Sequence, residues 1–514
     1  MNQILRLLVL VVILQSCEKK VVDILIINGK VYDGINLEPT TNSIAIKGDK
    51  IVDFGDLDTT KFHSRQIIDA SGLIVSPGFI DPHTHADREL VKKEESHNKP
   101  FLFQGITTVI TGNDGESVYP ISKFKTLCET NGVGTNVVPL TGHGTLREAS
   151  GIGTIENPSK DQLNKMKALL TQELEGGAFG ISTGLFYSPG SFSSTDEVIE
   201  LSKIVNSYNG IYDSHIRDES SYTVGLVKAI DEVIEIGQKA KLPVHISHIK
   251  CLGADVWKLS DSLISKIEKA QLDGINITAN QYPYRASATG LKSALIPKWA
   301  QSGGMDSLKY RLNQPILRKK VLDGISNNIR RRGGGESLVM IKAYDDSLLF
   351  KNLSEIAKSY NLSESETTVK LVLGGFIRIA SFNMNPHDIH NFMTQEWVVT
   401  GSDGNTGHPR KYGSFPKKFR EFVKEKQILS LGQFIKNSTS KTADIFNISN
   451  RGWIKVENKA DIIIFDPESF TDKATFDNPF VLSEGLKYSI INGMLSIEEG
   501  TFTNQLNGKF LTRN

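Results

Sequence analysis

Three observations predict an α/β fold. Strands alternate with helical stretches through the middle of the chain, short strands joined by glycine turns occupy both ends, and histidines and acids follow the middle strands. About eight strand–helix units in succession are typical of a (β/α)8 barrel of the TIM type. Short strands with no helix between them are typical of a small β-sandwich. We therefore expect a TIM-like barrel inserted into a β-sandwich domain that the N- and C-terminal segments form together.

The changes of pattern give the expected boundaries. Residues 17–76 and 441–514 carry the two parts of the β-sandwich domain, and residues 77–440 carry the barrel. Residues from about 297 to 352 do not follow the strand–helix rhythm, so we predict an insertion there. The run Arg-Arg-Arg-Gly-Gly-Gly at residues 330–335 predicts an exposed loop within that insertion.

Composition narrows the class of protein. A chain of 514 residues with 39% hydrophobic and 23% charged residues is long enough for a barrel and an accessory domain. The formal net charge of +1 gives no electrostatic reason to expect a nucleic-acid partner.

The N-terminus has the order of parts of an export signal. The apolar run at residues 7–14 is too short to span a bilayer as a helix. The sequence Leu-Gln-Ser-Cys that follows resembles a bacterial lipobox, which implies cleavage after residue 16 and a lipid on Cys17. We therefore expect an exported bacterial lipoprotein, anchored to a membrane and facing the periplasm or the cell surface. The alternative is a plain signal peptide with an incidental cysteine. We predict that the other two cysteines, Cys128 and Cys251, are unpaired.

Two histidines one residue apart suggest a metal site. His83 and His85 follow the apolar residues Phe79 and Ile80, at the predicted end of a strand. Residues i and i+2 of an extended strand point the same way, so the two imidazoles could share one ion. The competing interpretation is a pair of polar residues at a strand terminus.

Further candidate ligands follow other predicted strands. Zinc takes imidazole and carboxylate ligands, and a catalytic zinc site keeps one position open for water, whose pKa falls to about 7. Asp403, in a Gly-Ser-Asp-Gly turn after the last strand, is the best-placed general base. Each histidine taken alone is more often a structural residue, but their joint position at strand ends favours a metal-dependent hydrolase. The candidates are His83, His85, Asp114, His143, His215, His248 and Asp403.

These motifs carry a family resemblance. Residues 77–85, Pro-Gly-Phe-Ile-Asp-Pro-His-Thr-His, resemble the first metal motif of the amidohydrolase superfamily. The stretches at residues 142–147, 177–185, 214–219, 246–250, 282–284, 401–404, 408–410, 451–454 and 459–461 are similar to those of the D-aminoacylase (N-acyl-D-amino-acid deacylase) family. The resemblance runs from about residue 22 to 512.

The resemblance implies a ligand set for one or two zinc ions. His83 and His85, with Asp403, resemble the ligands of the first metal position, and His215 and His248 resemble those of the tightly held zinc. The family usually has Gly-Asn-Cys-Gly where this chain has Gly-Asn-Asp-Gly, with Asp114 in place of the cysteine. Carboxylate can ligate and even bridge two ions, but it selects zinc less than thiolate does. Alternatively, Asp114 is a turn residue that binds nothing.

An N-acyl amino acid carries a carboxylate that needs cationic and hydroxyl partners. Lys250 and Arg410 are the candidate cations, and His143 is a candidate for hydrogen bonding the substrate carbonyl or orienting a ligand. The hydroxyl candidates resemble positions that the family uses around its substrate; they are Tyr187, Tyr282 and Ser287.

The resemblance thus implies a zinc amidohydrolase that converts N-acyl-D-amino acids into a free D-amino acid and a carboxylate. Its partners would be this small molecule and, through the lipid anchor, a membrane. Selectivity for the D-enantiomer comes from the resemblance alone. Two alternatives stay open: a cyclic amidase or dipeptidase acting on fragments that contain D-amino acids, and a catalytically inactive, lipid-anchored binding protein.

Overall fold

The computed structural model describes residues 19–513, so Cys17 and the predicted signal segment at residues 1–16 lie outside the described residues. The strands are β1 (Lys20–Ile27), β2 (Lys30–Val31), β3 (Thr40–Thr41), β4 (Ser43–Lys47), β5 (Lys50–Gly55), β6 (Phe62–Asp69), β7 (Ile74–Pro77), β8 (Phe79–Asp81), β9 (Ile106–Thr111), β10 (Asn136–Pro139), β11 (Thr141–Gly142), β12 (Gly180–Gly184), β13 (Ile211–His215), β14 (Val244–Ile246), β15 (Ile277–Gln281), β16 (Ala286–Gly290), β17 (Leu338–Lys342), β18 (Arg378–Phe382), β19 (Val398–Thr400), β20 (Ile462–Phe465), β21 (Leu486–Ile491), β22 (Met494–Glu498) and β23 (Thr501–Phe502).

The α-helices are α1 (Asp87–Leu90), α2 (Lys99–Leu102), α3 (Ile121–Asn131), α4 (His143–Ser150), α5 (Lys160–Glu175), α6 (Thr195–Ser207), α7 (Leu226–Ala240), α8 (Ser260–Leu272), α9 (Leu291–Leu295), α10 (Lys298–Gln301), α11 (Gly304–Leu312), α12 (Pro315–Arg331), α13 (Leu353–Tyr360), α14 (Glu364–Gly374), α15 (Pro386–Met393), α16 (Arg410–Lys417), α17 (Leu431–Ser438) and α18 (Ser440–Ile445). A π-helical turn, Lys418–Glu425, continues α16.

The middle of the chain forms parallel sheet with helices between its strands, as the alternating pattern predicts. The strand order is β10-β9-β8 in one sheet and β11-β12-β13-β14-β15-β19 in another. The two sheets meet where the Phe179 amide donates to the Pro139 carbonyl, and Thr84 pairs with Gly404 in an isolated parallel bridge. The fold is therefore mixed α/β with a parallel core, and the ladders of the described residues do not close into one eight-stranded sheet.

Strand and helix sequences explain this core. Strands β9, β12 and β13 of the parallel core are buried along their whole length, as is typical of parallel sheet. Helix α5 begins at a capping box, because the Ser159 hydroxyl accepts from the Gln162 amide and the Gln162 side chain accepts from the Ser159 amide. Its apolar face packs into the largest hydrophobic cluster, beside the strands.

Both chain ends form β structure. One sheet has the order β5-β4-β1-β6, and the other, β23-β22-β21-β20-β7-β2-β3, combines strands from the two ends. A shared cluster of isoleucines from both sheets, including Ile24, Ile46, Ile462 and Ile490, is completely or almost completely buried. The N- and C-terminal segments therefore share one hydrophobic cluster.

The predicted insertion differs from its expected form. An antiparallel sheet, β16-β18-β17, is covered by α9 to α14, and two of its strands lie outside residues 297–352. The prediction of an exposed loop at residues 330–335 is wrong for the first residues of that range. Helix α12 continues to Arg331, and the side chain of Arg332 is only 1% exposed. A run of three arginines indicated solvent, but the third one turns inward.

Cys128 and Cys251 are buried free thiols. Among residues 19–513, no helix has the length and apolarity needed to cross a bilayer.

Candidate metal centre

The predicted metal ligands converge at one edge of the parallel sheets. His83 and His85 follow β8, Asp114 follows β9, and His215 is the last residue of β13. His248 follows β14, and Asp403 follows β19. Because the carboxyl ends of parallel strands meet at the same edge, residues far apart in sequence come together there.

The Asp114 carboxylate lies at the centre of this cluster. Its Oδ1 is 3.4 Å from His83 Nε2, 3.4 Å from His215 Nδ1 and 3.5 Å from His248 Nε2. Its Oδ2 is 3.6 Å from His85 Nε2. One carboxylate therefore faces all four histidines.

Asp403 completes the half of the cluster around His83 and His85. Its Oδ1 is 3.3 Å from His85 Nε2 and 3.8 Å from His83 Nε2. Two potential ligand sets result, and Asp114 belongs to both: His83, His85, Asp114 and Asp403 in one, and Asp114, His215 and His248 in the other.

The spacing of these atoms fits zinc. Ligand atoms about 2.0–2.1 Å from a tetrahedral ion are about 3.3 Å apart, close to the shorter separations found here. The ring nitrogens of His83 and His215 and Oδ1 of Asp114 are buried with no hydrogen-bond partner among the described residues. Buried polar atoms are normally satisfied, so this many orphaned ligand atoms facing one another point to a cation. Burial also lowers the pKa of His85 and His215, which favours the neutral imidazole that a metal requires.

Three of these residues have left-handed backbone conformations. The φ angles are 57° at Asp114, 49° at Asp403 and 34° at His248. Such angles are uncommon for residues other than glycine and cost free energy, so they persist where the surrounding structure demands them. The three side chains are thereby turned back over the strand ends.

Lys250 lies beside the cluster but is already paired. Its Nζ is 2.5 Å from Glu219 Oε1 and 2.7 Å from His248 Nδ1. Burial alone would raise the pKa of Glu219, but the Lys250 ammonium and His248, which contact this carboxylate, outweigh burial and hold the pKa far below its usual value. Glu219 therefore stays ionised and orients both Lys250 and His248, a role that sequence reasoning missed although the residue lies four positions after His215.

The cavity above the ligands contains four of the six predicted substrate residues. Tyr187, Lys250, Tyr282 and Ser287 line it. The Tyr187 hydroxyl is 3.3 Å from Thr289 Oγ1, and the buried Tyr282 hydroxyl has no hydrogen-bond partner among the described residues. Hydroxyl groups are thus available to a ligand.

Arg410 and His143 are not among the cavity-lining residues. The Arg410 Nη2 lies 2.8 Å from Asp403 Oδ2, so this guanidinium contacts the oxygen of the expected base that does not face His85. Burial would raise the pKa of Asp403, but the charges of Arg410 and His248 hold it far below its usual value. The His143 ring turns away to Glu197, with Nε2 2.7 Å from Oε1, and the same carboxylate binds Arg147. Position at a strand end is not enough to set the direction of a side chain.

The cavity also contains two arginines that the sequence did not identify as candidate site residues. Arg378, at the start of β18, and Arg332, just after α12, both line it. No carboxylate of the described residues lies within 4.0 Å of either guanidinium, whereas Arg88 and Lys250 in the same cavity are paired with Glu116 and Glu219. No sequence signal distinguishes a paired from an unpaired arginine, because the pairing depends on the tertiary fold.

Comparison with known proteins identifies the family to which the chain belongs. A profile described as "Amidohydrolase family" matches residues 66–293. The chain is 28% identical over 518 residues to the D-aminoacylase of Alcaligenes xylosoxydans xylosoxydans, covering 96% of this chain and 98% of the relative. It is 30% identical over 500 residues to the N-acyl-D-aspartate deacylase of the same organism, covering 92% of this chain and 91% of the relative. The crystal structure of N-acyl-D-glutamate deacylase from Bordetella bronchiseptica, complexed with zinc and a phosphonate inhibitor, matches with a TM-score of 0.82 and 25% identity, covering 96% of this chain and 100% of that one.

A parallel-stranded core whose strands end in this cluster of histidines and carboxylates is typical of the amidohydrolase class of proteins. Within that superfamily, the chain belongs to the D-aminoacylase family, whose members it matches over almost their whole length.

Proposed function

We propose that this protein is a zinc-dependent amidohydrolase that cleaves N-acyl-D-amino acids into a free D-amino acid and a carboxylate. One observation carries the proposal: Asp114 faces four histidines at metal-ligand spacing, with Asp403 beside it. Similarity to D-aminoacylase and to N-acyl-D-aspartate deacylase supports the substrate class.

The two ligand sets would hold one or two zinc ions, with Asp114 between them in the place of the family's usual cysteine. Zinc bound there would lower the pKa of a water molecule to about 7 and polarise the amide carbonyl of the substrate. Carboxylate oxygen is a suitable, though less zinc-selective, substitute for sulfur.

Asp403 is the proposed general base and general acid. Its Oδ1 faces His85 and Arg410 holds Oδ2, so the carboxylate is fixed in position beside the candidate metal ligands. Asp403 accepts the proton from the attacking water and then delivers it to the nitrogen of the leaving amino acid. Arg410 positions this carboxylate rather than contacting substrate.

The α-carboxylate of the substrate needs a cation that is not already neutralised. Arg378 meets this need better than Lys250, because Glu219 neutralises Lys250 and no carboxylate pairs with Arg378. The hydroxyls of Tyr187, Tyr282 and Ser287 complete the proposed binding surface. A cyclic amide has no free α-carboxylate to use this guanidinium, which disfavours the cyclic-amidase alternative. An inert binding protein would have no use for Asp403.

Amine release by the full-length protein with added zinc tests the proposal. Panels of N-acetyl-D- and N-acetyl-L-amino acids should show turnover of the D-enantiomers, and the Asp403→Asn variant should lose that turnover while keeping its fold by circular dichroism. Absence of turnover for every N-acetyl-amino acid, or full activity of Asp403→Asn, would contradict the proposal. Cyclic amides and dipeptides are the next panel in that case.

We also propose the finer architecture: a closed (β/α)8 barrel over residues 77–440, and a β-sandwich formed by residues 17–76 and 441–514. The bridge between Thr84 and Gly404 supports closure, because it joins the neighbourhoods of the first and last barrel strands. The shared isoleucine cluster supports the sandwich.

Membrane anchoring through a lipid on Cys17 is likewise a proposal, and it is supported by the sequence of the N-terminal segment alone. Mass spectrometry of the protein from a bacterial membrane should detect diacylglyceryl-Cys17 at the mature N-terminus. A Cys17→Ala variant should move to the soluble fraction. An unmodified N-terminus at another residue would favour a plain signal peptide.

A further inference from the structure

Not every basic side chain that lines the cavity is paired with a carboxylate. Four basic side chains face it: Arg88, Lys250, Arg332 and Arg378. Arg88 and Lys250 are paired with carboxylates at 2.8 Å and 2.5 Å, whereas no described carboxylate lies within 4.0 Å of the other two. A substrate with a neutral side chain carries only one carboxylate. If that carboxylate paired with one of these two guanidinium groups, the other would remain without a counter-charge.

Arg332 is the more unusual of the two. Its side chain is 1% exposed, and its Nε and Nη1 have no hydrogen-bond partner among the described residues. Leaving a buried charge without partners is strongly unfavourable. An anionic ligand in the cavity would remove this cost.

The two arginines occupy different parts of the cavity. Arg378 pairs with Gly290 in the β16–β18 ladder, beside Thr289, whose hydroxyl is 3.3 Å from that of Tyr187, and the Tyr187 ring centroid is 4.7 Å from that of His215. Two aromatic rings, those of Phe186 and Tyr222, connect the candidate metal ligand His215 to Arg332. Phe186 is 5.8 Å from the His215 ring, Tyr222 is 5.6 Å from Phe186, and the Arg332 guanidinium is 5.6 Å from the Tyr222 ring centroid.

Distance from the scissile bond assigns the two guanidinium groups. The α-carboxylate is attached to the carbon that bears the scissile nitrogen, so it must lie near Asp403. We therefore assign Arg378 as its binding partner. A second anion must lie farther from the reacting atoms, at the end of a short chain. We infer that Arg332 binds a second carboxylate of the substrate, so that the protein prefers dianionic N-acyl-D-amino acids.

This inference rests on the proposed function and refines its substrate class. The second carboxylate has two chemical sources: the side chain of an acidic D-amino acid, or a dicarboxylic acyl group. Matched substrates separate them, because N-acetyl-D-glutamate and N-acetyl-D-glutamine differ only in the side-chain charge. N-succinyl-D-alanine and N-butyryl-D-alanine differ in the same way at the acyl end.

The test compares kcat/KM for these four substrates in the wild type and in Arg332→Met, which keeps an apolar stem without the charge. In the wild type, kcat/KM for the dianionic member of one matched pair should be about 100-fold higher than kcat/KM for its neutral counterpart. In Arg332→Met this difference should largely disappear. The ratio within one variant does not depend on how much of the protein is folded. Arg330→Met is the matched control, because this exposed arginine two residues away pairs with Asp255 outside the cavity, and its ratio should be unchanged.

Binding of the same four compounds to the Asp403→Asn variant, measured by calorimetry, gives a readout without turnover. Adding Arg332→Met should weaken binding of the dianionic compound and leave its neutral counterpart unaffected. Equal kcat/KM for charged and neutral substrates, or a ratio that survives in Arg332→Met, would overturn the inference and leave the deacylase proposal standing. Loss of turnover on all N-acyl-D-amino acids, with no binding to Asp403→Asn, would overturn both.

Discussion

Two buried clusters of this protein have the same chemical ingredients and different geometry. The metal cluster combines four histidines, two carboxylates and Arg410, while the second cluster combines His143, Glu197 and Arg147. In the second, nitrogen and oxygen meet at 2.6–2.7 Å, which is direct hydrogen bonding. In the first, the imidazole nitrogens stand 3.3–3.8 Å from the carboxylate oxygens, and both ring nitrogens of His83 and of His215 have no hydrogen-bond partner among the described residues.

The difference teaches how to separate a binding site from a structural ion cluster. The members of the second cluster bond directly to one another and stabilise the fold, and only His143 Nδ1 is left without a hydrogen-bond partner among the described residues. A cluster held at the spacing of metal ligands has been positioned by the backbone, here with left-handed φ angles at Asp114, His248 and Asp403. Three predictions break or sharpen this comparison.

The largest effect is expected from Asp114. Asp114→Asn should lower zinc affinity by at least about 100-fold and activity with it, because the carboxylate shared by both ligand sets is lost. Zinc content after dialysis, measured by elemental analysis, checks this. Asp388→Asn is the control, since that buried carboxylate accepts from the Lys258 and Ser260 amides away from the metal.

A second variant at position 114 sharpens the result. Asp114→Cys restores the ligand usual in the family and should retain zinc. Full zinc content in Asp114→Asn would mean that Asp114 is only a turn residue.

A smaller effect, on stability rather than metal binding, is expected in the second cluster. Glu197→Gln leaves the buried Arg147 without its counter-charge and should lower the free energy of unfolding by about 3 kcal/mol. Urea denaturation measures this. Glu200→Gln, on the exposed face of the same helix, should change it by less than about 0.5 kcal/mol. Loss of zinc from Glu197→Gln would show that the two clusters are not independent.

The smallest effect is on pH dependence. Burial lowers the pKa of His143 from its ordinary value of 6.5 despite Glu197, so the unfolded chain takes up a proton below pH 6.5 that the folded protein does not bind. Stability contributed by neutral His143 is therefore present above pH 6.5 and is lost as the pH falls toward the folded pKa. His143→Gln should make the free energy of unfolding fall less steeply between pH 6.5 and 5, by at most about 1.4 kcal/mol per pH unit. An unchanged slope would mean that folded His143 titrates normally.

Strand-end position predicted which residues meet, because the ends of parallel strands share one edge and the i, i+2 rule orients His83 and His85 together. It did not predict where each ring points. His143 follows a strand as the ligands do, yet its ring turns to Glu197, whose place on α6 is visible only after folding. Arg332 and Arg378 were missed for the same reason, since burial and lack of a partner are properties of the assembled cavity. The antiparallel sheet of the insertion was missed because β16, β17 and β18 pair across long stretches of sequence.

The hydrogen bonds that join the first and last ligand segments have a consequence for folding order. The Asp403 amide donates to the His83 carbonyl, and the His85 amide donates to the Gly404 carbonyl. During synthesis, the segment carrying His83 and His85 emerges long before its partner, so the complete set cannot exist until the Gly401–Gly404 turn has docked. Zinc binding to the ligand set that contains Asp403 would therefore require this turn to have docked, whereas the set of Asp114, His215 and His248 does not depend on it.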